Sequence, residues 1–243
     1  MQTFRKTVGG RECFFYFPPG YGEPGRRYPV LYSNGMETPE EEFEKIIRPA
    51  EEGFRRGRCR EFVFVYVQLT DFDRDCSPWP APAVFRGKAD FTGGAGEYLE
   101  VLTREIKPFV DKEFLTLPDP AHTGLMGYSL AGLLALYGLY KAPSFGRIAS
   151  LSGSLWYDGW MEYMESRTPP NQDARVYLSL GTAEEKSRNQ RMARVGDCTR
   201  LAAELLKRQL PDGEVTLAWN PGGHFTGVTE RLGSALTWFG KSV

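Results

Sequence analysis

A chain of 243 residues with 41% hydrophobic and 14% aromatic content has enough apolar material for one globular domain of the larger α/β kind; two domains would each be small. Its 30 basic and 31 acidic side chains are scattered and leave a formal charge of -1, so no basic stripe recruits nucleic acid or an anionic membrane. The first ten residues lack the apolar core of a signal peptide, and no stretch approaches the about 20 apolar residues of a membrane span. A cytoplasmic protein with no membrane partner is expected. Four cysteines, Cys13, Cys59, Cys76 and Cys198, lie far apart without a CxxC pair, which suits reduced thiols better than a disulfide framework or a zinc site.

In chain order, residues 4–8 and 12–17 are strand-like runs joined through Gly9-Gly10, a pair that tolerates the positive φ of a tight hairpin. Short apolar runs follow at 30–32, 62–67, 124–126, 148–151, 176–180 and 215–219, as expected of a mostly parallel sheet buried on both faces. Between them apolar residues recur three or four apart: Phe43, Ile47, Ala50 and Phe54; Tyr98, Leu102, Ile106 and Phe109; Leu201 and Leu205; Val228, Leu232, Leu236 and Phe239. Strands alternating with helices after an antiparallel start predict one α/β domain over 1–243. Its layout is a three-layer sandwich with a mostly parallel central sheet and antiparallel N-terminal strands. The connection 69–96, rich in Pro, Gly and aromatics, is too long for a simple turn, and such loops in compact domains are usually functional or disordered.

The segment around Gly127-Tyr128-Ser129-Leu130-Ala131-Gly132 joins a buried strand to an apolar helix through small residues, the signature of a nucleophile elbow. The strained serine needs small neighbours two positions before and after it so that strand and helix can approach; Gly127 and Ala131 supply them. Such a turn sets the Leu130 amide at a helix N-terminus, facing the oxyanion that forms when Ser129 attacks a carbonyl. A second donor is expected after the 30–32 strand, in Ser33-Asn34-Gly35-Met36-Glu37, with the Met36 amide as the candidate.

The chain contains two histidines. His122 begins the strand that ends at Ser129, and seven strand residues at about 3.3 Å each place the two roughly 23 Å apart. His224, between the last strand and the last helix, lies at the same sheet edge as Ser129 and is the expected base. The acid falls among Glu184, Glu185 and Asp158, with Glu184 favoured at the end of the penultimate strand. Aromatics of the two irregular segments, Phe72, Trp79 and Phe85 in one and Trp156, Tyr157 and Trp160 in the other, are candidates to line a pocket. Arg74, within Asp73-Arg74-Asp75, is a candidate for contact with a polar substrate. Two distant histidines and unpaired cysteines supply no metal ligand cluster.

Four segments, Tyr28-Pro29-Val30-Leu31-Tyr32, Ser77-Pro78-Trp79-Pro80, the elbow, and Gly223-His224-Phe225, together resemble the Putative esterase family, which includes enterochelin-type siderophore esterases and esterase D enzymes. The resemblance runs from Tyr28 to the last helix and implies an α/β-hydrolase that cleaves small carboxylic esters without metal or organic cofactor. It places the acid at Glu184, three residues after Gly181, although some relatives work with a Ser–His dyad. In a siderophore esterase, Trp79 and Arg74 would serve a catecholate. An acyltransferase or thioesterase such as S-formylglutathione hydrolase would use the same residues, and a non-catalytic binding protein would need none of them. A homodimer is compatible with this reading.

Overall fold

The computed structural model describes residues 2–36 and 40–243. Strands β1 (Gln2–Val8) and β2 (Arg11–Phe17) form the expected antiparallel hairpin, turning at Gly9 and Gly10 with φ of 57° and 70°. Then come β3 (Val30–Gly35), α1 (Glu40–Arg55) and β4 (Val63–Gln68). Among the described residues eight strands make one sheet in the order β1-β2-β4-β3-β7-β8-β9-β10. The later members are β7 (Thr123–Tyr128), β8 (Arg147–Leu151), β9 (Arg175–Gly181) and β10 (Glu214–Asn220). From β4 to β10 all neighbours are parallel, so every strand in that run ends at the same edge.

The long connection after β4 has structure of its own: a short helix α2 (Phe72–Cys76) and a two-stranded ribbon of β5 (Pro80–Ala81) and β6 (Phe91–Thr92). Asp75, fully buried, pins it to the hairpin by accepting from Arg11 Nη1 at 2.6 Å, and also accepts within the connection from Arg74 Nη1 at 2.9 Å. The helix predicted around Tyr98 runs as α3 (Ala95–Val101), one π turn (Leu102–Ile106) and α4 (Lys107–Glu113). After β7 comes α5 (Leu130–Lys141), buried from Leu130 to Tyr140, then α6 (Trp160–Glu165), α7 (Gln190–Ala193), α8 (Val195–Gln209) and α9 (Val228–Ser242).

Alternation along each strand divides the core between the two faces. Leu125 of β7 joins Tyr32, Val65, Ile148 and Val176 under α3 and α5, whereas Met126 joins Leu31, Phe64, Ala149 and Tyr177 under α1 and α9. Helices therefore cover both faces, and β7, near the middle of the sheet, delivers its last residues to the shared edge. This is the predicted α/β-hydrolase sandwich.

Candidate active site

At the end of β7 the chain turns sharply into α5 at Ser129, whose φ of 62° and ψ of -124° lie where a residue bearing a Cβ is strained. The turn survives because its neighbours are small. A Cβ added to Gly127 would lie 2.1 Å from the Ala131 carbonyl oxygen, and one added to Gly132 would lie 3.0 Å from Gly153 Cα. Backbone bonds hold the serine from both sides: Ser129 N–H donates to Leu151 O, and Ser129 O accepts from the N–H groups of Gly132, Leu133 and Ser154. Leu130 is the first residue of α5, so its amide belongs to the helix N-terminus beside the Ser129 hydroxyl.

The loop after β10 brings His224 over this turn. His224 Nε2 lies 3.1 Å from Ser129 Oγ, and Nδ1 lies 2.7 Å from Glu184 Oε2. A carboxylate can only accept, so the pairing places the imidazole proton on Nδ1 and leaves Nε2 to accept from the serine. Glu184 follows β9 and is buried. Its other oxygen, Oε1, accepts from Ser152 Oγ at 2.7 Å, Gly181 N–H at 2.8 Å and Arg231 Nη1 at 3.0 Å. Burial raises the carboxyl pKa, but the bonds from His224, Ser152 and Gly181 and the His224 charge outweigh it and hold Glu184 below its ordinary value. Ser152 itself sits at a positive φ of 44°, a second strained serine within the cluster.

Arg231, on α9, is 2% exposed and spans the cluster. Besides Glu184, its Nη1 donates to Ser152 Oγ at 2.7 Å and to Tyr128 Oη at 3.0 Å, and its Nη2 donates to Gly223 O at 3.0 Å. Tyr128 Oη in turn donates to the His224 carbonyl. One guanidinium thus ties the acid to the residue before the serine and to the loop that carries the histidine.

Two cavities meet at Ser129 and His224. One, of about 240 Å³, is bordered by Ser152, Ser154, Trp156, Glu184, Lys186, Ser187 and Met192. The other, of about 510 Å³, lies between the ends of β3 and β4 and helices α1 and α9, bordered by Ile46, Phe64, Tyr66, Phe72, Phe225, Val228 and Leu232.

The model of the Putative esterase family matches residues 7–220. The chain belongs to this family. It is a carboxylic ester hydrolase. The esterase is 26% identical over 240 residues to the uncharacterized protein YbbA of Bacillus subtilis (strain 168), spanning 97% of this chain and 95% of that one. In fold it is similar to an IroE-like serine hydrolase from Shewanella oneidensis, with a TM-score of 0.84 at 18% identity over 98% of this chain and 79% of that chain. It is also similar to the siderophore hydrolase EstA from Aspergillus nidulans, with a TM-score of 0.71 at 19% identity over 98% of this chain and 93% of that chain.

Of the three candidate acids in the esterase, Glu184 reaches the imidazole. Glu185 pairs with Arg200 at 2.8 Å, and Asp158 pairs with Arg191 at 3.0 Å. His122 sits at the opposite end of β7, bonded to Asp119 at 2.8 Å. Of the seven candidates for the pocket, Trp156 borders the smaller cavity at Ser129 and Phe72 borders the larger one. Trp79 is committed elsewhere: its Nε1 donates to Asp158 O at 2.8 Å, and its ring packs on Tyr157, Trp160 and Tyr163. Tyr157 is buried and donates to Trp79 O at 2.6 Å. Together they fasten the 69–96 connection to the segment before α6, because a buried indole or phenol must find a partner for its polar atom. Arg74 is held by Asp75 and Glu97 and borders neither cavity. Met36 follows β3, its carbonyl accepting from Tyr66 Oη at 2.7 Å, while Glu37 lies outside the described residues.

Arg231 is a residue of this cluster that the sequence did not single out. Arg231, Ala235 and Phe239 are spaced four apart and all are buried, so the covered stripe of α9 passes through the arginine, a course that the packed helix reveals and the apolar pattern does not.

Proposed function

We propose that the esterase works through an acyl-enzyme on Ser129, with His224 as general base and acid, Glu184 as the carboxylate that orients it, and the Leu130 and Met36 amides as the oxyanion hole. The observation that supports this most directly is the imidazole bridging Ser129 Oγ at 3.1 Å and Glu184 Oε2 at 2.7 Å. In the first step His224 Nε2 takes the Ser129 proton as Oγ bonds to the ester carbon. As the tetrahedral intermediate collapses, the carbon–alkoxy bond breaks and the alkoxide leaves with the proton from Nε2. Water then gives a proton to Nε2 and adds to the acyl carbon, and Ser129 recovers its proton as the acid departs. Glu184, kept ionised below its ordinary pKa, stabilises the imidazolium in both halves.

The test is turnover of p-nitrophenyl butyrate by wild type and Ser129→Ala, with the intact mass recorded after a fluorophosphonate probe. A single adduct on wild type, no adduct on Ser129→Ala and a fall in kcat of about 10⁴-fold or more are expected. Turnover that survives Ser129→Ala would overturn the acyl-enzyme. Adding an alcohol or thiol acceptor to the same assay tells hydrolysis from acyl transfer by the product formed.

A further inference from the structure

The larger cavity at Ser129 has a wall that an ester of unspecified type does not require. Ile46 from α1, Phe64 and Tyr66 from β4, Phe72 from α2 and Leu232 from α9 converge on it, and Phe225, beside the base, stands at its mouth 88% exposed. No charged side chain borders it among the described residues. Away from Ser129 and His224, most of the polar groups that do are engaged in bonds of their own: Asn34 Nδ2 donates to Met126 O, Asn34 Oδ1 accepts from Tyr98 Oη, Tyr66 Oη donates to Met36 O, and Tyr128 Oη donates to His224 O. A polar or ionic ligand group entering here would lose its water and meet mainly apolar side chains among the described residues. A hydrocarbon group would gain from each methylene it buries. Ile46, Phe72 and Leu232 are half-buried, so the apolar surface is open to whatever enters rather than closed by core packing.

We propose that this cavity holds a straight-chain or aromatic apolar group of the substrate, attached to the carbonyl that Ser129 attacks either as its acyl chain or as its alcohol. The esterase is then selective for lipophilic esters. This rests on Ser129 being the nucleophile. Full burial of one methylene is worth roughly fourfold in kcat/KM, and an open wall yields part of that.

The experiment measures kcat/KM along two series, p-nitrophenyl esters from acetate to octanoate and acetate esters of butanol to octanol, with fluorophosphonate labelling of Ser129 run beside them. A rise of about tenfold or more along the acyl series assigns the cavity to the acyl chain, and the same rise along the alcohol series assigns it to the alcohol; either supports the proposal. Labelled protein with both series flat would overturn it while leaving Ser129 as nucleophile. Protein that does not label would remove the nucleophile and this inference together. Ile46→Asp is expected to lower the long-to-short ratio of kcat/KM at least tenfold, and Leu232→Gln on α9 repeats the measurement independently of α1. A ratio unchanged in both folded variants would show that the selectivity comes from elsewhere and overturn the assignment to this cavity.

Discussion

The chain's two histidines each bind a carboxylate through Nδ1, and they sit at opposite ends of β7. His122 meets Asp119 at 2.8 Å and His224 meets Glu184 at 2.7 Å, so by distance alone the two pairs are the same interaction. Their surroundings separate them. Asp119 lies three residues from its histidine and keeps 47% of its side chain exposed, a local contact in the short turn before β7 that water can replace. Glu184 is 40 residues from His224, keeps 4% of its side chain exposed, and has its second oxygen fully used by Ser152, Gly181 and Arg231. A carboxylate beside an imidazole therefore does not distinguish the two pairs. What distinguishes them is the Ser129 hydroxyl at the other ring nitrogen of His224 and a carboxylate whose second oxygen is fixed by three further bonds.

The largest effects follow from breaking each pair in turn. His224→Ala should lower kcat/KM for p-nitrophenyl butyrate by about 10⁴-fold or more, whereas His122→Ala should stay within about twofold of wild type. Glu184→Gln should cost about 10³-fold, because a neutral amide neither stabilises the imidazolium nor fixes the tautomer, while Asp119→Asn should again be nearly silent. Glu184→Gln retaining a tenth or more of wild-type activity would reduce the site to a Ser–His dyad with Glu184 as its buried anchor. A loss in both His122 and Asp119 variants as large as in their counterparts would remove the distinction altogether.

Much of this site was legible because its signals are local. The elbow needs small residues at fixed offsets around Ser129, and a parallel sheet collects the strand ends at one edge, so a histidine after the last strand and a glutamate after the penultimate one could be assigned to the same place. The lining of the site was legible only in part, at Trp156 and Phe72. Trp79 and Tyr157 looked like pocket residues because they lie in irregular segments, yet a half-buried indole and a buried phenol are spent on Asp158 and Trp79 carbonyls. Phe64 and Tyr66 looked like core strand residues, and one face of β4 does enter the core. At the sheet edge that same face runs out into the cavity. Arg231 was hidden by the pattern of α9, where Val228 and Leu232 suggest an apolar stripe that the fold leaves half-buried while it buries the arginine one position away.

Arg231 separates the two pairs further, since among the described residues the side-chain bonds of Asp119 go to His122 and not to an arginine. Removing one member of a buried ion pair leaves the other charge without compensation, at a cost of about 3–5 kcal/mol. Arg231→Met should therefore lower Tm by on the order of 10 °C for a chain of this size. It should also reduce kcat more than it raises KM, because the loop carrying His224 loses the bond at Gly223 O while both cavities keep their walls. Arg231→Lys keeps the charge without the two-pronged geometry and should recover part of the Tm and less of the kcat. Equal losses of Tm in Arg231→Met and Arg231→Lys, with kcat unchanged, would make the arginine a structural residue only.

The smallest predicted effect is the response of the two pairs to acid. Both carboxyls are held below their ordinary values. At Glu184 burial opposes the shift and the bonds from His224, Ser152 and Gly181 overcome it; at Asp119 the opposing burial is overcome by the bond and charge of His122. A carboxyl lowered in the folded state stabilises the fold above its unfolded pKa, and that stabilisation is lost as pH falls through the folded value. The Tm gap between wild type and Glu184→Gln should thus be constant from pH 7 down to about 5 and then narrow as the wild-type glutamate takes up its proton, the reference carboxyl value being near 4.3. For Asp119→Asn the gap should begin small, since an exposed pair contributes little, and close over a similar acidic range. A gap for Glu184→Gln that stays flat to pH 3 would mean that Glu184 gains nothing from being ionised in the fold, and that its grip on His224 is one of shape rather than charge.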